Sequence, residues 1–339
     1  MSAALFGRAW NVQVLTPADQ GGNQTLLNVS SSDRETNSLR VTFDIEQLYS
    51  ALFTAEIDIY NPNLQTVQTL SGGCIVSVSA GYTVEGTPAE IFRGQLFQAI
   101  FSKPDATTVV LKLLCFVGLN VLTDNFVRTT LGPGATQRQI VLAMAANCIG
   151  ANNSPTSIPI AYLAPDSDFK VQPLPRSSTI FGTPNKLFGN LARANDMGFA
   201  VGPNGLSLGK LDGSGSSTPD VIYAPPLTED QTQPVTDGII RYCLLGTPAQ
   251  TEFGVDFRVQ LDSRLQFKLP AMQAQLKNVV IEQAPFQSGK YQSILTQDGV
   301  YFAAGVRHIG DTRGNVWETR VTGITSINGR NPLPGGGVL

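Results

Sequence analysis

The stretch from Val300 to Ile324, VYFAAGVRHIGDTRGNVWETRVTGI, constrains this chain more than any other. It reads as two β-strands joined by a tight polar turn, Gly310-Asp-Thr-Arg-Gly-Asn315, with Trp317, Thr319 and Val321 on one face of the returning strand. A looser counterpart runs from Ile91 to Cys115, IFRGQLFQAIFSKPDATTVVLKLLC. Both run aromatic, small residue, apolar strand, Asp-containing turn, returning strand. Two such hairpins in one chain predict a duplicated β-module, which points to assembly rather than catalysis.

A length of 339 residues predicts two or three domains. Charged residues make up only 14% of the chain, against roughly 25% in an average globular protein. The surface is therefore covered by Ser, Thr, Asn, Gln and Gly, or by other subunits, since interface cores are depleted of charge. The formal net charge is −3. No basic run is present to neutralise phosphates, which argues against specific nucleic-acid binding.

Alternation places Trp10, Val12 and Val14 on one strand face and Leu39, Val41, Phe43 and Ile45 on another. Val109 to Val117 is nearly all apolar, as in a strand buried on both sides. Residues 1–124 are read as a first β-barrel, closed or nearly so, which removes exposed edges. The texture then changes. Thr136 to Ile149 has helical spacing, with a capping box from Thr136 and Gln139 and a stop at Gly150. A second helix is expected from Pro184 to Met197, capped by Thr183, stopped by Gly198, with Leu187, Leu191 and Ala194 facing inward. A short hairpin follows through Gly202-Pro-Asn-Gly205. Residues 125–235 are read as an α+β insert flanked by Pro-rich connectors at 153–185 and 212–237. Residues 236–330 are read as a second barrel, with alternating Phe253, Val255, Phe257, Val259 and Leu261, then Leu265, Phe267 and Leu269. Residues 331–339 are read as a flexible C-terminal tail. The fold class expected is mainly β with a small α+β insert.

Chemistry is sparse. His308 is the only histidine, and no G-x-S-x-G elbow exists for a nucleophile. A structural ring hydrogen-bonded near the turn and Asp311 is the reading adopted. Cys74, Cys115, Cys148 and Cys243 form no C-x-x-C pair, so neither metal nor redox chemistry is expected. They read as buried free thiols of a protein made in a reducing cytoplasm. Glu56/Asp58 and Glu229/Asp230 are candidate carboxylate pairs for a glycosidase by proximity in sequence. The first pair reads as the outer face of a strand, and the second as a polar loop. No P-loop or dinucleotide fingerprint occurs, so no cofactor is expected. No secretory signal or membrane-spanning window is expected either. Trp317 reads as a core residue rather than a sugar-stacking platform.

The run His308-Ile-Gly310-Asp311-x-Arg313-Gly314-x-x-Trp317-x-Thr319 resembles the C-terminal barrel of the tail hub proteins of tailed bacteriophages, the tail protein D-like baseplate hubs. Leu39–Glu46 followed by Ala55–Pro62 resembles their first barrel. Ala80-Gly-Tyr82 and Ile91-Phe-Arg-Gly94 resemble its next strands, and Gly246-Thr-Pro248 with Gly254-Val-Asp-Phe257 the entry to the second. The long connectors depart from the pattern. The resemblance implies two tail-tube-like β-barrels in one chain and a homotrimeric ring at the tail tip. That ring joins the six-fold tail tube to a three-fold spike. It implies a structural virion protein without enzymatic activity, made in the bacterial host cytoplasm. Its implied partners are the tail tube or distal tail protein, the central spike, baseplate wedge proteins and the tape-measure protein. DNA passes through its channel at genome ejection without specific binding, and no membrane is engaged. His308, Gly310, Asp311, Arg313, Gly314, Trp317 and Thr319 become an assembly motif. The alternatives are a tail-associated cell-wall hydrolase and a glycan-binding adhesin.

Overall fold

The computed structural model describes residues 7–16, 24–33, 39–48, 53–63, 70, 72–83, 87–118, 125–150, 155–202, 205–210, 220–223, 239–246, 253–261, 273–277 and 299–324. The pair Glu229/Asp230, the segment carrying Leu265, Phe267 and Leu269, and the tail from Asn331 lie outside them.

The chain opens with seven strands: β1 (Arg8–Leu15), β2 (Thr25–Ser30), β3 (Val41–Leu48), β4 (Phe53–Tyr60), β5 (Ile75–Tyr82), β6 (Glu90–Ser102) and β7 (Val110–Val117). The alternation read in the sequence is the alternation of burial. Trp10, Val12 and Val14 on β1, Val41, Phe43 and Ile45 on β3, and Ala55, Ile57 and Ile59 on β4 all enter one core. Leu111, Leu113 and Cys115 of β7 close it.

The insert follows as β8 (Phe126–Leu131), α1 (Gln137–Ala146), β9 (Cys148–Ile149), β10 (Pro155–Thr156), β11 (Ile160–Leu163), β12 (Ser178–Gly182), α2 (Pro184–Ala194), β13 (Met197–Gly202) and β14 (Gly205–Lys210). Thr136 caps α1 through a complete capping box with Gln139, a feature worth about 1 kcal/mol. The helix ends at Asn147 rather than Gly150, because Cys148 and Ile149 are drawn into a short strand against β8 and β10. Helix α2 stops at Asn195, before the expected Met197, which starts β13. The Asn195 side chain donates to the carbonyl of Leu191 and accepts from the N–H of Val171, and so ends the helix before Gly198. Its inward face is Pro184, Phe188, Leu191 and Ala192. Ala194 is exposed, and Thr183 makes no side-chain cap bond. The segment read as a 153–185 connector carries β10, β11 and β12, and all three join the insert's sheets. Strands β8, β9, β10 and β12 form a four-stranded sheet and β11, β13 and β14 a three-stranded one, around a core of their own.

The remaining strands are β15 (Asp220–Tyr223), β16 (Ile239–Gly246), β17 (Phe253–Gln260), β18 (Gln273–Lys277), β19 (Gly299–Asp311) and β20 (Trp317–Ile324). They do not stand apart from the first seven. One 13-stranded sheet runs β16-β17-β20-β19-β3-β4-β7-β6-β5-β1-β2, with β18 on β19 and β15 on β18.

The order repeats. The run β3-β4-β7-β6-β5 has its match in β16-β17-β20-β19-β18, antiparallel at every step. Register repeats with it. Strand β6 pairs with β7 as Gln95↔Phe116 and Leu96↔Cys115, skips Phe97, and resumes at Gln98↔Leu114. Strand β19 pairs with β20 as Phe302↔Ile324 and Ala303↔Gly323, skips Ala304, and resumes at Gly305↔Thr322. The flanking strands keep the same correspondence: Gln95 faces Ile75 as Phe302 faces Gln273, and Leu114 faces Glu56 as Thr322 faces Asp256. A bulge conserved in position between two copies marks them as versions of one unit. The chain is thus mainly β, with two like β units and a small α+β insert.

Candidate functional site: the seam between the two β units

The sequence-predicted motif lies where the two units meet. The outer half of β19 turns away from β18 and pairs with β3, from Gly305↔Leu48 to Asp311↔Thr42. A strand of 13 residues is long enough to serve β18 with its first half and β3 with its second. The hydrogen-bonded sheet therefore continues from one unit into the other.

Each motif residue has a defined place on this seam. Gly310 faces Phe43, and a Cβ there would meet the Phe43 ring at 2.1–2.8 Å, so only glycine fits. His308 is buried opposite Ile45, and its Nδ1 shares a 2.8 Å hydrogen bond with the Thr319 hydroxyl across the hairpin. Asp311 ends the strand. Its carboxylate accepts from Nε and Nη2 of Arg40 at 3.2 and 2.7 Å, a two-pronged contact, and from the backbone N–H of Arg313 at 3.0 Å. His308 and Asp311 thus engage different partners, because alternation along the strand sends neighbouring side chains to different faces. Gly314 sits over the Asp311 carboxylate, where a Cβ would lie 2.3 Å from Oδ2. The Arg313 side chain is exposed. Trp317 leaves the turn inward, 5% exposed, with its ring edge-on to Phe43 at a centroid distance of 5.4 Å and 72°.

Residues far away in sequence complete the site. Arg8 lies 5.3 Å from the Trp317 ring centroid and donates from Nη1 to the carbonyls of Asp311 and Gly314 at 2.6 and 2.5 Å. Thr312 donates its N–H to the carbonyl of Val41 at 3.0 Å, and its hydroxyl accepts the Val41 N–H at 2.9 Å. Arg307 forms an ion pair with Asp44, Nε to Oδ1 at 2.7 Å. Nothing in the local sequence marks Arg8, Arg40, Phe43 or Asp44 as partners of the turn. Each sits in an ordinary strand pattern, and only the fold brings it within reach.

Burial of Asp311 disfavours its charge, but the Arg40 guanidinium and the N–H groups of Arg313 and Gly314 outweigh that and hold its carboxyl below the ordinary aspartate range. The bound form is the ionised one. Its contribution is therefore fully present above the unfolded value and is lost as pH falls through the folded one. Urea midpoints of the wild type should drop below about pH 4. Asp311→Asn should lower the midpoint at pH 7, the Arg40 contact being weakened, and should shrink the further drop on going to pH 3. An unchanged acid response in Asp311→Asn would remove this carboxylate from the seam's pH dependence.

The described carboxylate pair has a different setting. Glu56 and Asp58 share a sheet face, and Lys112 of β7 reaches Glu56 at 3.2 Å and Asp58 at 3.8 Å. Partial burial raises Asp58, with Lys112 opposing and Glu56 adding. This is an ion ladder along paired strands, with Glu56 exposed. Cys74, Cys115 and Cys148 are buried, and desolvation lifts the Cys148 thiol to about 11 and that of Cys115 further. Among the described residues no group of three His, Cys, Asp or Glu side chains is gathered to hold a metal. No described helix is long and apolar enough to cross a membrane.

No family model and no curated protein matches this sequence. Solved structures do match in fold. A tail protein from Neisseria meningitidis MC58 aligns with TM-score 0.57 at 12% identity, over 94% of this chain and 97% of that one. The 43 kDa tail protein of prophage MuSo2 from Shewanella oneidensis aligns with TM-score 0.56 at 9% identity, over 94% and 98%. An Escherichia coli component of the type VI secretion system, described as similar to the T4 tail proteins gp27 and gp5, aligns with TM-score 0.51 at 11% identity, over 87% and 76%. Identities this low speak for the fold alone. That fold is the one the closing hairpin's resemblance implied.

Proposed function

We propose that this chain is a structural subunit of a phage-type tail, and that three copies close into a hub ring at the tail tip. The single observation behind this reading is the pair of β units with the same strand order and bulge, already joined edge to edge. Three chains of two units present six similar surfaces to a six-fold tube, while the ring as a whole keeps three-fold symmetry for a spike. Two near-equivalent units per chain let a closed ring meet two symmetries without two kinds of subunit. The likeness in fold to tail proteins supports it.

In this reading residues 1–124 and 236–330 supply the ring units. The 125–235 insert lies outside the two ring units, and baseplate wedge proteins are further partners of the ring. The ring borders the tail tube or distal tail protein above and the central spike below. Its channel passes the tape-measure protein and then DNA. The subunit acts in the virion, after synthesis in the host cytoplasm, through packing rather than catalysis.

Light scattering on the purified chain, with cryo-EM of the assembled tail tip, tests this. A three-chain ring with six alternating β units is the expected result. A chain that stays monomeric at all concentrations, alongside tube and spike proteins, would sink it.

A further inference from the structure

The two β units differ at one place, and the difference suggests what is missing. In the second unit the outer half of β19 is covered by β3, and there Val306 and His308 are 2% and 3% exposed. In the first unit β5 reaches β6 only from Glu90 to Gln95, with two further backbone hydrogen bonds at Leu96, to Gly73 and Cys74. Beyond that, among the described residues, β6 has β7 on one edge and no strand on the other. Every residue from Phe97 to Ser102 is exposed, including Phe97 at 58%, Ile100 at 37% and Phe101 at 45%. A bare strand edge carrying aromatic and branched apolar side chains invites pairing.

The complementary edge also exists. Strand β3 uses one edge for β4 and the other for β19. Its counterpart β16 uses one edge for β17 and, among the described residues, leaves the other without a strand.

We propose that the seam inside the chain recurs between copies, with the outer half of β6 in one copy pairing antiparallel to β16 of the next. This rests on the ring reading above and names the strand edges that close the ring.

The repeated register gives the pairing residue by residue. Ala99, Ile100, Phe101 and Ser102 occupy the positions of Val306, Arg307, His308 and Ile309. Gly246, Leu245, Leu244 and Cys243 occupy those of Gln47, Glu46, Ile45 and Asp44. Within the chain those sets face each other as Val306↔Gln47, Arg307↔Glu46, His308↔Ile45 and Ile309↔Asp44. Between copies they become Ala99↔Gly246, Ile100↔Leu245, Phe101↔Leu244 and Ser102↔Cys243.

The two seams then differ in chemistry. The inner one carries the Arg307–Asp44 ion pair. The outer one has apolar residues at every corresponding place except Ser102. Pairing β6 with a second β3 would set Asp44 beside Ile100 in place of Arg307 and leave it without its counter-charge, which disfavours the wrong partner. Each seam accepts only its own edge, so units alternate around the ring. The contact is head-to-tail, the type that closes into rings.

Ser102→Cys creates the test, because Cys243 is the residue it should face. Directly opposed antiparallel residues have Cα atoms about 4.5–5.5 Å apart, within reach of a disulfide or a short bis-maleimide. Ser102 is exposed, so the substitution spares the core. Full-length Ser102→Cys, treated with a short bis-maleimide and run on a denaturing gel, should give a ladder of two- and three-chain bands. The ladder should vanish in Ser102→Cys/Cys243→Ser. Thr107→Cys, at the exposed tip of the same hairpin, should give none. Phe101→Asp should reduce the light-scattering mass to that of one chain with an unchanged circular dichroism spectrum. Assembly by light scattering without a Ser102→Cys cross-link would overturn this seam and leave the ring reading standing. Cross-linking of Thr107→Cys to the same extent would show random collision and overturn it as well. A wild-type chain that never associates would overturn both.

Discussion

Trp317→Ala is expected to lower the stability of this chain by about 3–5 kcal/mol, the usual cost of removing a large buried aromatic. Trp317 opens β20, yet it packs in the core of the first unit against Phe43, with Leu261 in the same cluster. The edge-on Phe43 contact adds about 0.5–1.5 kcal/mol beyond buried area, and Arg8 loses the aromatic face beside it. The hole therefore opens where the second unit's closing strand enters the core of the first. Urea denaturation should show a midpoint shift, and light scattering should show loss of the ring even where the monomer survives at low temperature. Trp317→Phe supplies the control. The indole Nε1 is buried and, among the described residues, has no hydrogen-bond partner. Phenylalanine then forfeits volume but no hydrogen bond, and it removes an unsatisfied donor that itself costs stability. Its midpoint should lie much nearer wild type than that of the alanine variant. Full stability in Trp317→Ala would mean that this ring does not hold the seam.

Gly310→Ala should be the next most damaging change, by overfilling rather than emptying. The added Cβ would sit 2.1 Å from Phe43 Cζ and under 3 Å from two further ring carbons. Phe43 cannot retreat: it is 3% exposed and pinned edge-on by Trp317. Inserting a methyl into such a site costs roughly 1–3 kcal/mol. Here the strain falls on β19 against β3, so the far end of the inner seam, at Gly310 and Asp311, should part first. Thermal melting should show the loss. Gly310→Ala/Phe43→Leu should recover part of it, because the two changes share one space and are not additive. A double variant no better than the sum of its parts would place the strain elsewhere.

Local structure was legible where neighbouring residues decide it. Alternation along β1, β3 and β4 named their buried faces, because side chains point to opposite sides of a strand in turn. The Thr136/Gln139 box named the start of α1, because its bonds lie within three residues of one another. Helix ends were read less well. Gly150 and Gly198 looked like stops, but Asn147 and Asn195 end the helices, since the residues beyond are claimed by strands β9 and β13. Ala194 looked inward on helical spacing alone, while the insert core touches α2 along Phe188, Leu191 and Ala192 instead.

The closing hairpin was legible as a hairpin, and its partner was not. His308, Gly310, Asp311 and Trp317 stood out by type and spacing. Arg8, Arg40, Phe43 and Asp44 lie in stretches that read as plain strands, and no local signal links them to a turn near residue 312.

The amino-acid order by itself determined the alternating strands such as β1 and β3, the helix starts and the presence of two like hairpins, because each depends on period and on contacts a few residues long, whereas the strands within 153–185 read as connector. Tertiary structure alone decided that β19 leaves β18 for β3, that Trp317 fills the other unit's core, and that one strand edge is covered while its twin stays bare. Those outcomes depend on which backbone edge meets which. Every strand edge offers the same N–H and C=O groups, so the choice rests on shape and packing between residues far apart in the chain.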